Sequence, residues 1–331
     1  MTIATDRPLP RLRPIDIAPI DDNGEIAFVL RDMTRIAPQA MALSGAGYFI
    51  VAHFDGENDI GAIQRAFLQQ FGQSINPEQV VELATTLDEA LMLETDRFQH
   101  AYAQRAAEYL AADARDNRER WPDADEMGEE IAAALTDGRA VKNEEVLRGV
   151  IAPHLDYPRG APCYADAYAT LREAGPADRY VILGTNHFGR SHSVVATRKD
   201  FVTPLGRVGT DRAFLEELDS RVGGGLFDHE FDHDAEHSIE LQVHLLQTLF
   251  PDAEFEIVAA LCPDPCGPTG TAPADGNGAD LGEFADALAE MIASDHARTV
   301  VIASADFSHV GQRFGDEDPT TEDFLANVGL Y

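Results

Sequence analysis

The sequence predicts an α/β protein: a three-layer-type domain with a mostly parallel central sheet flanked by helices, plus a small N-terminal winged-helix-like α+β domain. Three observations carry this. From Val146 onward, strand-like runs alternate with helical patterns. Four of those runs (146–152, 180–184, 255–261 and 299–304) are short, apolar and rich in β-branched residues, as strands covered on both faces are. Three of the four lead straight into histidine: Pro-His-Leu-Asp-Tyr at 153–157, Thr-Asn-His at 185–187 and Ala-Asp-Phe-Ser-His at 305–309. In open α/β sheets ligands bind outside the carboxyl ends of the strands, so this pattern predicts a polar, metal-competent pocket there.

Residues 1–25, rich in Pro and Asp, predict an extended lead-in. Phe49–His53 predicts a short β-run stopped by Asp55-Gly56. Ile60, Ile63, Phe67 and Phe71 recur at helical spacing behind Asn58 or Asp59 as N-cap. Asn76-Pro77-Glu78 opens a second helix with Val80, Leu83, Leu87 and Leu91 on one face. This second helix carries Glu78, Glu82, Asp88 and Glu89 but no Lys or Arg, which excludes a DNA-reading helix and favours a peptide- or protein-docking module. Residues 97–135 read as mostly helical with a break near Trp121-Pro122, where Asp123 or Asp125 caps the next helix. The polar stretch 136–145 reads as a connector. Beyond it, helices are expected near 163–174, 210–219, 238–250 and 281–291, with a loop after 184 and a flexible insertion over 263–280. The expected domains are therefore 1–95, a helical connector at 96–145, and the α/β domain at 146–331.

Composition bounds the function classes. The chain has 331 residues, an apolar fraction of 44% and a formal net charge of −33, from 58 acidic against 25 basic residues. Such a chain repels nucleic-acid phosphate and anionic lipid, so neither is an expected partner. The acidity itself is read as a property of a soluble protein rather than as a binding surface. Three cysteines (163, 262 and 266) make no disulfide framework, and no apolar run reaches membrane-spanning length. With no signal pattern at the N-terminus, a reducing cytoplasm is expected. Cys262 and Cys266 lack a second Cys/His pair at zinc-ribbon distance and read as incidental loop cysteines.

The candidate site follows from the strand ends. His154 and His187 offer imidazole, the commonest metal ligand, from two loops, leaving room for a carboxylate and open positions; that donor set suits non-haem iron(II). His233 and His237 are four apart, a spacing at which one helix face can hold a metal. His237 also precedes a helix start, where the positive dipole end favours the neutral imidazole that a general base needs, with Glu236 able to orient the ring. His229 and His244 read as surface or packing residues. Asp306 is either a third ligand or the partner that fixes a ligating histidine, with Ser308 and His309 beside it. Ser308-His309 is no hydrolase dyad, since no Gly-x-Ser-x-Gly elbow exists.

Five segments together resemble the Memo-like family, whose prokaryotic members are often labelled AmmeMemoRadiSam system protein B. They are Ile-Ala-Pro-His-Leu-Asp-Tyr (151–157), Leu-Gly-Thr-Asn-His (183–187), Thr-Pro-Leu-Gly (203–206), His233 with Glu-His-Ser-Ile-Glu (236–240), and Ser-Ala-Asp-Phe-Ser-His (304–309). The resemblance covers about residues 146–316, and the stretch from Phe54 to Leu93 looks like a PqqD-like, winged-helix-type extension. It implies a fold related to the class III extradiol dioxygenases of the LigB type, which bind non-haem iron. On that relation His154 and His187 match the metal ligands, and His237 matches the catalytic histidine. Animal members carry Cys as third ligand where this chain has Ser308, so the third ligand stays open among Asp306, Ser308 and His309. Because the family usually continues well past this motif, some C-terminal structure is expected to be absent here or replaced by another chain.

Two readings follow. One is an iron-dependent, oxygenase-like redox enzyme, with another divalent metal as substitute and a small molecule or peptide in the pocket. The other is a non-catalytic binding or scaffold protein on the same fold; metal-dependent hydrolysis is a weaker third. The resemblance implies a radical-SAM enzyme and an AMMECR1-like protein as partners.

Overall fold

In the computed structural model, the residues described are 7–22, 24–141, 146–264, 269–311, 314 and 320–328. The chain divides into two compact units, Met1–Ala112 and Asp113–Tyr331.

The first unit opens with a three-stranded antiparallel sheet, β1 (Asp16–Asp22), β2 (Glu25–Arg31) and β3 (Met41–Ser44), in that order. The expected lead-in thus contains a paired strand, whose register runs from Asp16 opposite Arg31. The expected β-run at Phe49–His53 is instead the end of a helix, α1 (Gly45–Val51). The Ser44 hydroxyl accepts from the Gly47 amide and starts the helix upstream of the β-branched residues that mimic a strand. α2 (Ile60–Phe71) and α3 (Pro77–Glu89) begin as expected, capped by Asp59 and by Asn76 in a reciprocal box with Gln79. α4 (Asp96–Ala111) follows Thr95, which accepts from the Phe98 amide. Ile60, Ile63, Phe67, Val80, Ala84 and Leu87 form the core of this unit together with Leu30 and Phe54.

The second unit is built on an eight-stranded sheet. Its strands are β4 (Ala114–Asp116), β5 (Gly149–Ala152), β6 (Arg179–Thr185), β7 (Val195–Ala196), β8 (Asp200–Thr203), β9 (Gly206–Thr210), β10 (Glu256–Cys262) and β11 (Thr299–Ser304). The order is β4-β8-β9-β10-β6-β11-β5, with β7 paired to β10. β10, β6, β11 and β5 are mutually parallel. β8 and β9 form an antiparallel hairpin, so the expected loop after 184 in fact holds three strands. β5 is three residues shorter than the apolar run that predicts it.

Around the sheet run α5 (Ala124–Ala134), α6 (Tyr157–Ala174), α7 (Arg212–Arg221), α8 (Ser238–Leu249) and α9 (Leu281–Ser294); α10 (Glu322–Val328) lies beyond the last strand. Asp123 caps α5. α6 starts six residues before the expected 163, because Asp156 caps it and Pro158 is tolerated in the first turn. Strand residues alternate between two cores. Tyr180, Ile182, Ile257, Val300 and Ile302 meet α5, α6 and α8, whereas Val181, Val258 and Ala260 meet α7 and α9. α8 is buried on nearly all sides; Leu241, Leu245 and Leu246 each contribute about 2 kcal/mol by leaving water. Among the described residues no helix is long and apolar enough to cross a membrane. Cys266 lies outside the described residues; Cys262 is a half-buried free thiol at the end of β10.

Candidate functional site

Three adjacent parallel strands deliver the predicted residues to one place. In the order β6-β11-β5, Thr185, Ser304 and Ala152 end their strands side by side, and the following residues carry His187, Asp306 and His154. The His154 and His187 rings are 4.9 Å apart, edge to face. His237, the N-cap residue of α8, brings its ring 5.3 Å from His187 and 5.7 Å from His154.

Each first-rank imidazole is oriented through one nitrogen. His154 is buried, and its Nδ1 lies 3.0 Å from the Ser304 carbonyl, which fixes Nδ1 as donor and leaves Nε2 with its lone pair. Burial lowers the His154 pKa, and His187 and His237 add to this, while Asp306 offsets only part. Its imidazole is therefore held neutral, the ligand form. His187 turns its Nδ1 to Glu236, at 3.1 and 3.2 Å from the two carboxylate oxygens. Burial opposes its protonation, but the Glu236 hydrogen bond and charge outweigh it and raise the His187 pKa. Glu236 is itself buried, which works against ionisation; His187, His237 and the Ser238 amide nevertheless hold its carboxyl far below the usual range.

Among the described residues, His187, Glu236 and His237 form a group of ligand-type side chains with donor atoms within 4.8 Å of one another. Glu236 is a poor metal ligand in this arrangement. Its Oε1 already accepts the His237 and Ser238 amides at 2.8 and 3.0 Å, and its Oε2 the His187 amide at 2.9 Å. A carboxylate so occupied orients rings rather than binds an ion. Asp306 is the better carboxylate. Its Oδ1 accepts the His154 amide at 2.9 Å and its Oδ2 lies 3.6 Å from His154 Nε2. Two donors on one metal at bond lengths near 2.1 Å stand roughly 3–3.5 Å apart, so this pair fits a shared ion. His309 Nε2 is 3.8 Å from the same Oδ2, but the ring is half exposed. Ser308 is exposed.

His233 does not join the site. It is buried, its Nε2 lies 2.9 Å from the Val195 carbonyl, and burial pushes its pKa down to about 3. The i,i+4 pairing with His237 fails because residues 234–237 are not helical; a short 3-10 turn, Glu230–His233, ends before them. His229 is exposed and His244 is buried, hydrogen-bonded to the Tyr157 hydroxyl at 2.9 Å, as their packing roles require.

Several supporting residues escape sequence reading. Gln242 donates to the Pro153 carbonyl at 2.7 Å and to Ser304 Oγ at 2.9 Å, tying both strand ends that hold His154. Ser238 Oγ donates to the Thr185 carbonyl and accepts the Thr185 amide. Asp232 accepts from Asn186 Nδ2 and from the Arg190 and Ser191 amides, fixing the loop after His187. The one visible signal is Ser238 and Gln242, four apart on a helix that also buries the polar Glu240 and His244.

The family described as Memo-like protein matches residues 122–327. A MEMO1 family protein of Aquifex aeolicus (strain VF5) is 28% identical over 319 residues, covering 95% of this chain and 80% of that protein. A MEMO1 family protein of Methanosarcina mazei is 34% identical over 196 residues, 59% of this chain and 66% of that protein. One of Thermus thermophilus is 25% identical over 264 residues, 77% of this chain and 72% of the relative.

Proposed function

The chain belongs to the Memo-like family, and from that premise we propose that it is a metal-binding protein with one divalent ion, iron(II) first, held by His154 and His187 beside Asp306. The observation that carries this reading is the pair of imidazoles 4.9 Å apart, each with Nδ1 tied to a fixed oxygen and Nε2 left for a ligand bond. Two imidazoles and one carboxylate suit iron(II) with open positions. Bound there, the ion would supply Lewis-acid and redox chemistry to a chelating small molecule or peptide.

The chain's own residues do the rest. Glu236 holds the His187 ring and the His237 amide, so the two rings keep their stacked order. Of the three histidines His237 has the most exposed side chain, and its Nδ1 lies 3.3 Å from Glu236, which suits it to take or give a proton at a bound ligand. Phe188, with its ring 6.2 Å from His237, supplies an apolar wall. The family label's radical-SAM and AMMECR1-like proteins are the proposed partners, and the lysine- and arginine-free α3 of the first unit is the proposed place for docking.

Protein purified anaerobically with Fe(II) is expected to hold about one metal per chain, in keeping with the single site proposed. His154→Ala and His187→Ala are expected to lose it. Equal, negligible metal in all three proteins overturns the reading. O₂ consumption with catechol-type compounds then screens for turnover.

A further inference from the structure

We infer that Arg115 and Arg120 are positioning residues of this site, two guanidinium groups that grip the backbone immediately before His237. The inference rests on the metal-site reading above for its functional consequence, but the clamp itself is a matter of geometry. Both arginines precede the family-matched region, which begins at residue 122.

Residues 234–236 lie between a 3-10 turn and His237, the N-cap of α8 whose own carbonyl already accepts the Leu241 amide, so they stand outside any helix or strand. Backbone carbonyls in such a place need donors. Arg115 Nε donates to the His233 carbonyl at 2.7 Å, and its Nη2 to the Glu236 carbonyl at 2.5 Å. Arg120 Nη2 donates to the Asp234 carbonyl, and its Nη1 reaches the Ala235 and Glu236 carbonyls at 3.3 and 3.4 Å. Four consecutive carbonyls, 233 to 236, are thus held by two side chains.

The same two guanidinium groups share one counter-ion. Arg115 Nη2 and Arg120 Nη1 donate to Glu240 Oε2 at 2.6 and 3.1 Å, and Trp121 Nε1 donates to Oε1 at 2.6 Å. Glu240 is buried in the first turn of α8, just past His237. The clamp therefore holds the chain on both sides of His237, by carbonyls before it and a carboxylate after it. Arg115 is anchored in turn by β4, which pairs with β8, and its guanidinium lies 5.1 Å from the Phe201 ring. Only a planar, multi-donor group serves carbonyls and carboxylate at once; an ammonium keeps the charge but not the fork.

The test compares wild type with Arg115→Lys and Arg120→Lys, and with Arg118→Gln as control, since Arg118 pairs with Asp116 on the surface. Circular dichroism first establishes that each variant is folded. Amide hydrogen exchange is then measured without metal, and Co(II) alone is titrated by its visible absorption. The clamp predicts exchange at 235–238 at least tenfold faster in both lysine variants, with β6 and β11 unchanged. It also predicts a Co(II) Kd raised roughly tenfold or more, with shifted bands, as loss of a ligand-orienting contact gives. The control should match wild type. Unchanged exchange at 235–238, or faster exchange everywhere alike, overturns the clamp. If wild type binds no Co(II), the metal reading fails and the exchange pattern alone decides the clamp. If Arg115→Lys does not fold, Arg120→Lys at the less buried position decides it.

Discussion

His187 Nδ1 stands 3.1 Å from Glu236 Oε1, while Oε2 of the same carboxylate accepts the His187 backbone amide at 2.9 Å. Ring and main chain of one residue are thus held by a single buried anion, and the ring cannot turn without breaking its Nδ1 contact. Glu236→Gln removes the charge and sets an NH₂ group among amide donors. Metal affinity is expected to fall 10–100-fold, as for other contacts that orient ligands. Unfolding free energy should drop by about 1–3 kcal/mol from donors left unpaired. Metal titration beside thermal unfolding checks both, and undiminished affinity would refute the orienting role.

Asp306 and Ser308 are separated by the same comparison. Asp306 touches His154 through both its amide and its Nε2 side, whereas Ser308 faces solvent. Asp306→Ala is therefore expected to weaken metal binding at least tenfold, an amount on the scale of a lost ligand or orienting group. Ser308→Ala should stay within about twofold of wild type by the same reasoning. Reversed effects in a metal titration would move the third ligand to the serine.

The dependence on pH has a definite sign. His233 and His244 are buried, and burial lowers their pKa values to about 3 and about 4, with Arg115 adding to the effect in both. The unfolded chain takes up these protons near its ordinary histidine pKa, and the folded chain does not. The contribution of these two rings to stability is therefore full above about pH 6.5 and falls as pH drops toward 4, by roughly 1.4 kcal/mol per pH unit for each histidine. Urea midpoints between pH 7.5 and 4.5 should show this slope, and His244→Gln should reduce it. A flat profile would mean that both rings are protonated in the folded chain, and a halved slope that one is.

The strand ends are legible in the sequence because apolar runs break to Pro-His, Thr-Asn-His and Ala-Asp where the sheet stops. β6 is buried on both faces as its run predicts, whereas β5 is an edge strand that exposes Gly149 and Ile151. Helix starts were legible where a single side chain decides them, as at Asp59 and Asn76. Phe49–Val51 misled because β-branched and aromatic residues suit either state, and the deciding Ser44 cap lies five residues upstream. The hairpin β8–β9 was missed because Gly206 and Thr203 look like loop residues until pairing with β4 and β10 is known. Within the site, His154, His187 and His237 were readable from chemistry and place. Glu236 was assigned to His237 alone, and its grip on His187 spans 49 residues. Arg115 and Arg120 act across more than 110 residues, a distance over which local pattern carries no signal.

Gly184 gives the last test, because the site depends on how closely α8 sits on the end of β6. A Cβ at Gly184 would stand 2.5 Å from Ser238 Oγ and 2.7 Å from Ile239 Cγ1. Ser238 is the residue whose hydroxyl bonds both the amide and the carbonyl of Thr185, two positions before His187. Gly184→Ala must therefore push the helix start away or break that link, at a cost of about 1–3 kcal/mol from overpacking. Gly128→Ala is the matched control. No atom lies within 4 Å of its added Cβ, and in the interior of α5 the change should raise stability by about 0.5–1 kcal/mol. If Gly184→Ala melts as wild type and binds metal equally well, α8 is free to retreat from β6, and the position of His237 cannot depend on that contact.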